Sequence, residues 1–567
     1  MDQSFLCAGA FLALAAALTF QAGAASGLDA PSVDARKYIH AVETFADKAL
    51  ANGRDVYGDK HTPLFVDGLN VDTLEPVRWH YGDQVWTLVN GTSQQVFLRT
   101  LVGLTNLTGR DKYRQAAQED LRYTFDHLRV PNGLIYWGGH CCWDAQGDKP
   151  VGRPSMAHEL KCFLPYYQLM WEVDPNATGK YLQAVWAGHV LNWSNLDMDR
   201  HASTHDTHRA KAWPQTYQGG PIFFESKGRT FNNIGIDLQY AGAFYYKFTG
   251  YKPALEWSKR LAGRYVETRN PATGLRGYQY SFPPPDRADL QFGKELPGHL
   301  VLEGTILKPA WYAKGGIVQF KLGEMLGQDG KEFVQWAHED LTALGRCAYQ
   351  PADNSFKPML TDGFDLTGFV KPRDGYFGRA GTKFESTTAS CNFLWAYVLA
   401  YKATRDEFMW DMARQIAKGN ELGDIGRSDG TGARLDLHTN QLDSDAIFAL
   451  LELHKITAQA AFLDLARRVG DNILDKHFFN GFFLPGKDYL YASLNSTDPL
   501  ALLHLAGALE GKEQAVPDHW SGSWHFACEL LPTDKKYTYD HRVIYNQKRT
   551  SAKDSSPKTA ADQQEED

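Results

Sequence analysis

The stretch VFLRTLVGLTNLTGRDKYRQAAQEDLRYTFDHL, residues 96–128, decides the fold. Apolar residues recur at helical spacing in residues 96–104 and again in residues 113–128. Thr108 and Gly109 interrupt the pattern between them, as expected where one helix stops and another starts. The stretch therefore predicts two helices joined by a short turn.

The same hairpin pattern returns along the chain. Thr249-Gly250, Thr404 and Thr457 each stand before a second apolar stripe, and glycine-containing apolar turns follow three of the second helices, at residues 133–136, 274–277 and 481–483. Repeated helical hairpins are typical of a stacked or closed helical array. Loops rich in Trp, Tyr, His and Gly favour closure, so we predict an all-α fold, an (α/α) toroid of helical hairpins with a groove at one end. An open solenoid is the competing architecture.

Composition excludes some classes of protein. The 567 residues are 43% hydrophobic and 22% charged, which is ordinary for a globular protein and argues against wholesale disorder. The net charge of −8 lacks the basic excess of a nucleic-acid-binding protein, so we expect no nucleic-acid partner. A weakly acidic enzyme can still bind an anionic polymer if its Lys and Arg residues are concentrated in one groove.

The two ends of the chain differ from the middle. An apolar run from Phe5 to Phe20 precedes Ala22-Gly23-Ala24, which predicts a signal peptide at residues 1–24 and a secreted or periplasmic protein. No later stretch stays apolar for the roughly 18 residues of a membrane span, so we expect no membrane association after signal removal. Residues 32–531 are predicted to form a single catalytic domain. The polar residues 535–567 are predicted to be a disordered tail.

The densest group of polar residues lies between residues 136 and 209. His140 follows two glycines, Glu159 is expected on the apolar face near the start of a helix, and His201 follows Arg200. Two imidazoles and one carboxylate can hold a first-row metal ion, so His140, Glu159 and His201 are candidate metal ligands. The rival ligands are His158, His205 and His208, and His201 and His205 have the spacing of one helix face if that stretch is helical.

A family resemblance rests on three motifs in this region. Tyr-Trp-Gly-Gly-His at 136–140, His-Glu-Leu-Lys at 158–161 and Arg-His at 200–201 resemble, in that order, the family-2 polysaccharide lyases, which are periplasmic and cytoplasmic pectate lyases. The resemblance implies an (α/α)7 barrel and a divalent metal, manganese or else cobalt or nickel, held by His140, Glu159 and His201. It also implies that Arg200 is the catalytic base.

The implied reaction is metal-assisted β-elimination on a uronic-acid polysaccharide or oligosaccharide, above all pectate. Such an enzyme removes the proton on C5 of a uronate, and a divalent cation stabilises the charge that develops. Additional candidates for substrate binding are two aromatic rings and three cationic side chains: Trp137, Trp143, Arg276, Lys308 and Arg373. A guanidinium normally stays protonated, so Arg200 could instead clamp the substrate carboxylate while His205 or His208 takes the proton.

Three alternatives stay open. A glycoside or unsaturated-uronide hydrolase on a similar toroid would need two facing carboxylates, and the suppliers are Asp237, Asp362, Asp365, Glu385, Asp443 and Asp445. A sugar epimerase would use His acid/base pairs and release no fragment. A non-catalytic helical protein could bind oligosaccharides through its aromatic residues.

Overall fold

The computed structural model describes residues 33–81, 83–152, 157–206, 211–282, 309–372, 380–522, 537–538 and 544–549. The predicted signal peptide lies outside these ranges, as do Lys308, Arg373 and His208. The α-helices in chain order are α1 (Val33–Asn52), α2 (Gln95–Thr108), α3 (Lys112–His127), α4 (Tyr167–Val173), α5 (Pro175–His189), α6 (Asn232–Thr249), α7 (Lys252–Glu267), α8 (Ala310–Leu326), α9 (Lys331–Cys347), α10 (Cys391–Thr404), α11 (Glu407–Gly419), α12 (Ser444–Thr457), α13 (Ala460–Lys476) and α14 (Asp498–Leu509). Within the described ranges, no helix is both long enough and apolar enough to cross a bilayer.

Local chemistry explains where several helices begin and end. Helix α2 ends at Gly109, whose φ of 70° places it in the left-handed region that glycine adopts without strain. The Asp174 carboxylate accepts a hydrogen bond from the Ala177 N–H and Pro175 occupies the first turn, which together start α5. Asp443 caps α12 in the same way through the Asp445 N–H. Gly109, which the sequence predicted as a turn residue, therefore lies at a helix end in the structure.

The helices pair into a closed ring. Contacts join α2 with α3, α4 with α5, α6 with α7, α8 with α9, α10 with α11, α12 with α13, and the last helix α14 with the first helix α1. Helix α14 also packs against α2 and α12, so the two ends of the array meet. The described helices thus form seven pairs, and the structure confirms the all-α toroid and the (α/α)7 count.

The first helix of each central pair lines the inside of the ring. Helices α2, α6 and α10 are buried around most of their circumference, whereas α11 and α13 keep an exposed polar face. Because each hairpin reverses the chain, successive inner helices run in the same direction. Loops that precede the inner helices therefore gather at one end of the toroid, and that end carries the site described below.

Short strands lie in the connections between helices. They are β1 (Arg54–Asp55), β2 (Thr62–Phe65), β3 (Gly68–Asn70), β4 (Trp79–Tyr81), β5 (Gln84–Trp86), β6 (Leu88–Val89), β7 (Cys141–Asp144), β8 (Lys149–Gly152), β9 (Ala157–His158), β10 (Val190–Asn192), β11 (Asp197–Met198), β12 (Ala202–Ser203), β13 (Phe224–Glu225), β14 (Ser281–Phe282), β15 (Tyr349–Gln350), β16 (Ser355–Phe356), β17 (Thr387–Thr388), β18 (Gly423–Asp424), β19 (Arg434–Leu435), β20 (Phe478–Phe479), β21 (Phe482–Phe483), β22 (Tyr491–Ser493) and β23 (Tyr537–Thr538). The two pairings that matter for the site are antiparallel: β9 with β12, and β7 with β6 and β8.

Part of the predicted tail is folded. Strand β23 pairs with β4, and Ile544 and Tyr545 are buried in a small apolar cluster with Trp79 and Trp86. The Tyr545 hydroxyl donates a hydrogen bond of 2.5 Å to the Asp67 carboxylate. The disorder predicted for residues 535–567 stays a prediction, and within that segment a few apolar side chains suffice to pack these residues against the core.

Candidate metal centre and active site

The three candidate ligands come from three neighbouring segments. His140 immediately precedes β7, Glu159 follows β9 and His201 precedes β12. In the β9–β12 pair, Ala202 lies opposite His158, so the residues next to these two are brought side by side. The pairing of β9 with β12 thus brings Glu159 and His201 close together although they are far apart in the sequence.

The local structure around Glu159 differs from the sequence-based expectation. Glu159 follows a strand, and the next helix, α4, begins only at Tyr167, so the predicted helix start at Glu159 is wrong. The reason lies in the intervening turn, where Lys161, Cys162 and Leu164 have positive φ angles that no α-helix allows. The buried Asp237 carboxylate of α6 accepts a hydrogen bond of 2.6 Å from the Cys162 N–H and holds this turn.

The ligand atoms converge. His140 Nε2 lies 3.0 Å from His201 Nε2 and 3.0 Å from Glu159 Oε2, and His201 Nε2 lies 3.8 Å from the same carboxylate oxygen. One donor atom from each of the three residues falls within 4.8 Å of the others. The side chains of His140 and Glu159 are 1% exposed, whereas that of His201 is 25% exposed. The cluster therefore opens to solvent on the His201 side.

Two observations show that this cluster fits a cation. Both oxygens of Glu159 are buried, and neither receives a well-directed hydrogen bond from the described residues, although His140 and Arg200 lie at ion-pair distance. The backbone of Gly138 and Gly139 passes so close that a Cβ at Gly139 would overlap the Glu159 carboxylate. A buried carboxylate that lacks well-directed hydrogen bonds and faces two imidazole nitrogens is a donor set suited to a first-row divalent metal.

The electrostatics favour the charge states that a metal requires. Burial opposes ionisation of Glu159, but Lys161, His140 and Arg200 outweigh it and hold the pKa of this carboxyl well below its ordinary value. Burial also lowers the pKa of His140, which favours the neutral imidazole with a free lone pair. Lys161 Nζ lies 3.6 Å from Glu159 Oε2, and Arg200 lies 3.4 Å from Oε1.

Asp199 orients His201, the candidate ligand that is partly exposed. Its Oδ1 accepts a hydrogen bond of 2.8 Å from the His201 N–H and lies 3.4 Å from His201 Nδ1. Burial opposes ionisation of Asp199, but the contacts with His201 prevail and lower the pKa of this carboxyl. A carboxylate at Nδ1 directs the opposite ring nitrogen, Nε2, toward the cluster, as is usual for metal-ligating histidines.

The rival histidines occupy other positions. His158 is fully buried and faces His189 and Tyr181, away from the three-residue cluster. Residues 202–203 are a strand, so His201 and His205 do not share a helix face, and His205 is exposed. His189 and Tyr181 were missed by sequence reasoning, because nothing in their spacing distinguishes them from ordinary core residues of α5.

Three of the five predicted substrate-binding residues lie in the described part of the chain, and all three are buried. Trp137 is 1% exposed and its indole N–H donates to the Tyr181 hydroxyl, which is not compatible with stacking on a sugar. Trp143 is 9% exposed on β7. Arg276 is buried in an ion pair with Asp340, so its charge is already compensated inside the protein. Lys308 and Arg373 lie outside the described residues.

The carboxylates that a hydrolase could use have structural partners or lie at the surface. Asp445 accepts a hydrogen bond of 3.0 Å from Asn392, and burial raises its pKa to about 7. Asp443 caps α12 and Asp237 holds the turn after Glu159, as described above. The remaining three are exposed in loops: Asp362, Asp365 and Glu385.

A cavity of about 410 Å³ lies toward the opposite end of the ring, near the C-terminal ends of the inner helices. Its lysines are paired with neighbouring acids: Lys321 with Asp518 at 3.2 Å, and Lys402 with Glu452 at 2.9 Å. These charges therefore already compensate one another inside the protein.

The chain is similar to proteins of known family and known structure. Residues 62–529 match the family described as periplasmic pectate lyase. A pectate disaccharide-lyase of Dickeya dadantii (strain 3937) is 29% identical over 550 residues, covering 90% of this chain and 96% of that protein. Among solved structures, a D-mannose isomerase covers 70% of this chain and 89% of its own, with 12% identity and a TM-score of 0.41. The unsaturated glucuronyl hydrolase of Bacillus sp. GL1 covers 87% and 99%, with 11% identity and a TM-score of 0.38. By the extent of the family match, this chain belongs to the periplasmic pectate lyase family and is a polysaccharide lyase.

Proposed function

We propose that this lyase cleaves pectate by metal-assisted β-elimination. In this proposal His140, Glu159 and His201 hold a divalent cation and Arg200 acts as the base. The observation that carries it is the convergence of the three ligand atoms within 4.8 Å, with Arg200 at 3.4 Å from the shared carboxylate. The related pectate disaccharide-lyase supports pectate as the substrate.

The reaction has a defined electron balance. The C5–H bond breaks, its proton passes to the neutral Arg200 side chain, and its electron pair forms the double bond between C4 and C5. The C4–O bond breaks and the leaving oxygen takes a proton from water, and the hydroxide that remains is neutralised when Arg200 releases its proton. Negative charge builds up on the uronate carboxylate as the proton leaves. A divalent cation bound at this site would supply Lewis-acid stabilisation of that charge. Manganese is the proposed ion, with cobalt and nickel as alternatives for the same donor set.

The position of Arg200 beside the partly exposed His201 supports the proposed role in proton transfer. Its side chain is 16% exposed, and its guanidinium carbon lies 5.8 Å from the centre of the Phe231 ring. Glu159 favours the charged guanidinium. A cation bound to Glu159 would neutralise part of the carboxylate charge that stabilises the guanidinium of Arg200. The positive charge of Lys161, on the same carboxylate, further disfavours the charged form of Arg200.

The proposed metal requirement is tested by chelation and add-back. The purified chain is stripped with EDTA and assayed on polygalacturonate and on alginate by the ultraviolet absorbance of the unsaturated product. We expect stripping to abolish activity, and Mn²⁺ to restore it on polygalacturonate and not on alginate. Full activity in the demonstrably metal-free protein would contradict the metal assignment, and a preference for alginate would contradict the substrate assignment.

The proposed base is tested by Arg200→Lys. A general base typically contributes about 100- to 10,000-fold, and Lys cannot reproduce the planar guanidinium, so we expect kcat to fall within that range while Mn²⁺ binding is retained. The comparison variant is His205→Gln, which should keep its rate. Near-normal turnover by Arg200→Lys together with loss of turnover in His205→Gln would indicate that His205, and not Arg200, is the base.

A further inference from the structure

A line of buried hydrogen bonds runs behind the candidate ligands. The Trp137 indole nitrogen lies 2.9 Å from the Tyr181 hydroxyl, which lies 3.1 Å from His158 Nε2. His158 Nδ1 lies 3.2 Å from His189 Nε2, and His189 Nδ1 lies 2.8 Å from the Asp199 carbonyl oxygen. All four side chains are at most 1% exposed, so we call Trp137, Tyr181, His158 and His189 the buried relay.

The direction of every bond in the buried relay follows from its two ends. The Asp199 carbonyl can only accept, so His189 donates from Nδ1, and a neutral His189 must then accept at Nε2. His158 therefore donates from Nδ1 and accepts at Nε2, where the Tyr181 hydroxyl donates. Trp137 can only donate, and the Tyr181 oxygen accepts from it. Every bond is satisfied with both imidazoles neutral, so the line is polarised in one direction.

The buried relay touches all three segments that carry candidate ligands. Trp137 stands three residues before His140, His158 immediately precedes Glu159, and Asp199 stands two residues before His201. Asp199 also binds the His201 N–H through its carboxylate. The relay therefore joins, through side chains, segments that the backbone leaves many residues apart.

We propose that the buried relay sets the mutual position of His140, Glu159 and His201, and that its members are positioning residues for the metal site. The proposal rests on the metal site of the proposed function. An unpaired polar group among these buried side chains would be costly, so breaking one bond is expected to shift the segments toward new partners. Outer partners of metal ligands typically contribute about 10- to 100-fold to metal affinity.

Tyr181→Phe tests the relay by removing one hydroxyl. We measure Mn²⁺ dissociation constants from the electron paramagnetic resonance signal of free Mn²⁺, at a temperature well below the unfolding midpoint of each metal-free protein. We expect affinity to fall about 10- to 100-fold. The matched control is Tyr397→Phe, whose fully buried hydroxyl donates 2.9 Å to the Leu341 carbonyl between α10 and α9. That variant should bind Mn²⁺ like the original chain.

His189 provides a second test with a built-in rescue. His189→Leu removes both hydrogen bonds and should lower Mn²⁺ affinity to the same extent as Tyr181→Phe. His189→Gln can donate through its amide nitrogen to Asp199 and accept through its oxygen from His158, so it should recover most of that affinity. Original affinity in both Tyr181→Phe and His189→Leu would overturn the relay and leave the metal site intact. Failure of the unaltered chain to bind Mn²⁺, Co²⁺ or Ni²⁺ would overturn the metal site and the relay together.

Discussion

At the scale of single residues, the backbone of Gly139 approaches Glu159 too closely for any side chain at residue 139. The carboxylate occupies the space that any side chain at residue 139 would need. Gly138 has a φ of 121°, and its backbone lies so close that an added Cβ would be 2.7 Å from the Glu159 carbonyl oxygen. A glycine pair before the first histidine is thus required by sterics and not only by loop flexibility.

We predict that Gly139→Ala disables the site without unfolding the protein. The new methyl group displaces the Glu159 carboxylate from His140 and His201, so activity should fall at least about 10-fold, the lower end of the range for disturbed ligand positioning. Activity on polygalacturonate and Mn²⁺ affinity are the measurements. Gly263→Ala on α7 is the control, since nothing lies within 4 Å of its added Cβ and alanine favours the helix. Equal activity of the two variants would refute the steric argument.

At the scale of secondary-structure elements, one carboxylate ties the ends of three helices together. Asp498, the first residue of α14, lies 2.8 Å from Nδ1 of His477, which follows the last residue of α13. Ser444 at the start of α12 donates to the other Asp498 oxygen. Burial opposes protonation of His477, but the hydrogen bond and charge of Asp498 outweigh it and raise the pKa of this imidazole above its ordinary value.

We predict that this contact makes part of the stability depend on pH. Because the folded pKa of His477 lies above the unfolded value of 6.5, its stabilisation is full below pH 6.5 and is lost as pH rises through the folded pKa. His477→Gln should therefore cost more at pH 5.5 than at pH 8.5, roughly 1.5–3 kcal/mol at the lower pH for a charge-assisted hydrogen bond. Urea unfolding of both proteins at both pH values measures this. An equal cost at the two pH values would show that His477 is not charged in the folded protein.

At the scale of the whole molecule, closure of the ring depends on contacts between the two ends of the chain. Helix α14 packs on α1, and Tyr38 of α1 donates a hydrogen bond of 2.7 Å to Asp471 of α13. Beyond the ring, Tyr545 binds the buried Asp67 carboxylate, whose pKa burial raises to about 6. Residues far apart in the chain thus stabilise each other only when the toroid is complete.

We predict that residues 544–549 contribute to global stability although they lie within a polar segment. A chain ending after residue 538 loses the burial of Ile544 and Tyr545, roughly 3–6 kcal/mol at about 1.5–3 kcal/mol for each side chain, and leaves Asp67 without its tyrosine partner. A chain ending after residue 549 keeps these contacts and should unfold at the original temperature. Differential scanning calorimetry compares the two. Identical midpoints would show that the segment is dispensable.

The sequence by itself determined the hairpins and the chemical types at the site. Periodicity across residues 96–128, with its Thr-Gly turn, predicted α2 and α3 because helix formation depends on neighbours within a few residues. The three motifs that carry the family resemblance contain the residues that converge in the structure, namely His140, Glu159 and His201 with Arg200 beside them.

Only the tertiary structure decided how those residues meet and which neighbours serve them. Glu159 precedes a turn with positive φ angles, and the Asp237 carboxylate of a distant helix holds this turn by accepting a hydrogen bond from the Cys162 N–H. Local propensity contains no such information. Trp137 belongs to the buried relay and not to a sugar-binding surface because α5 covers it. The physical reason is the same in both cases: burial and hydrogen-bond partners are set by long-range packing, which becomes defined only once the ring has closed.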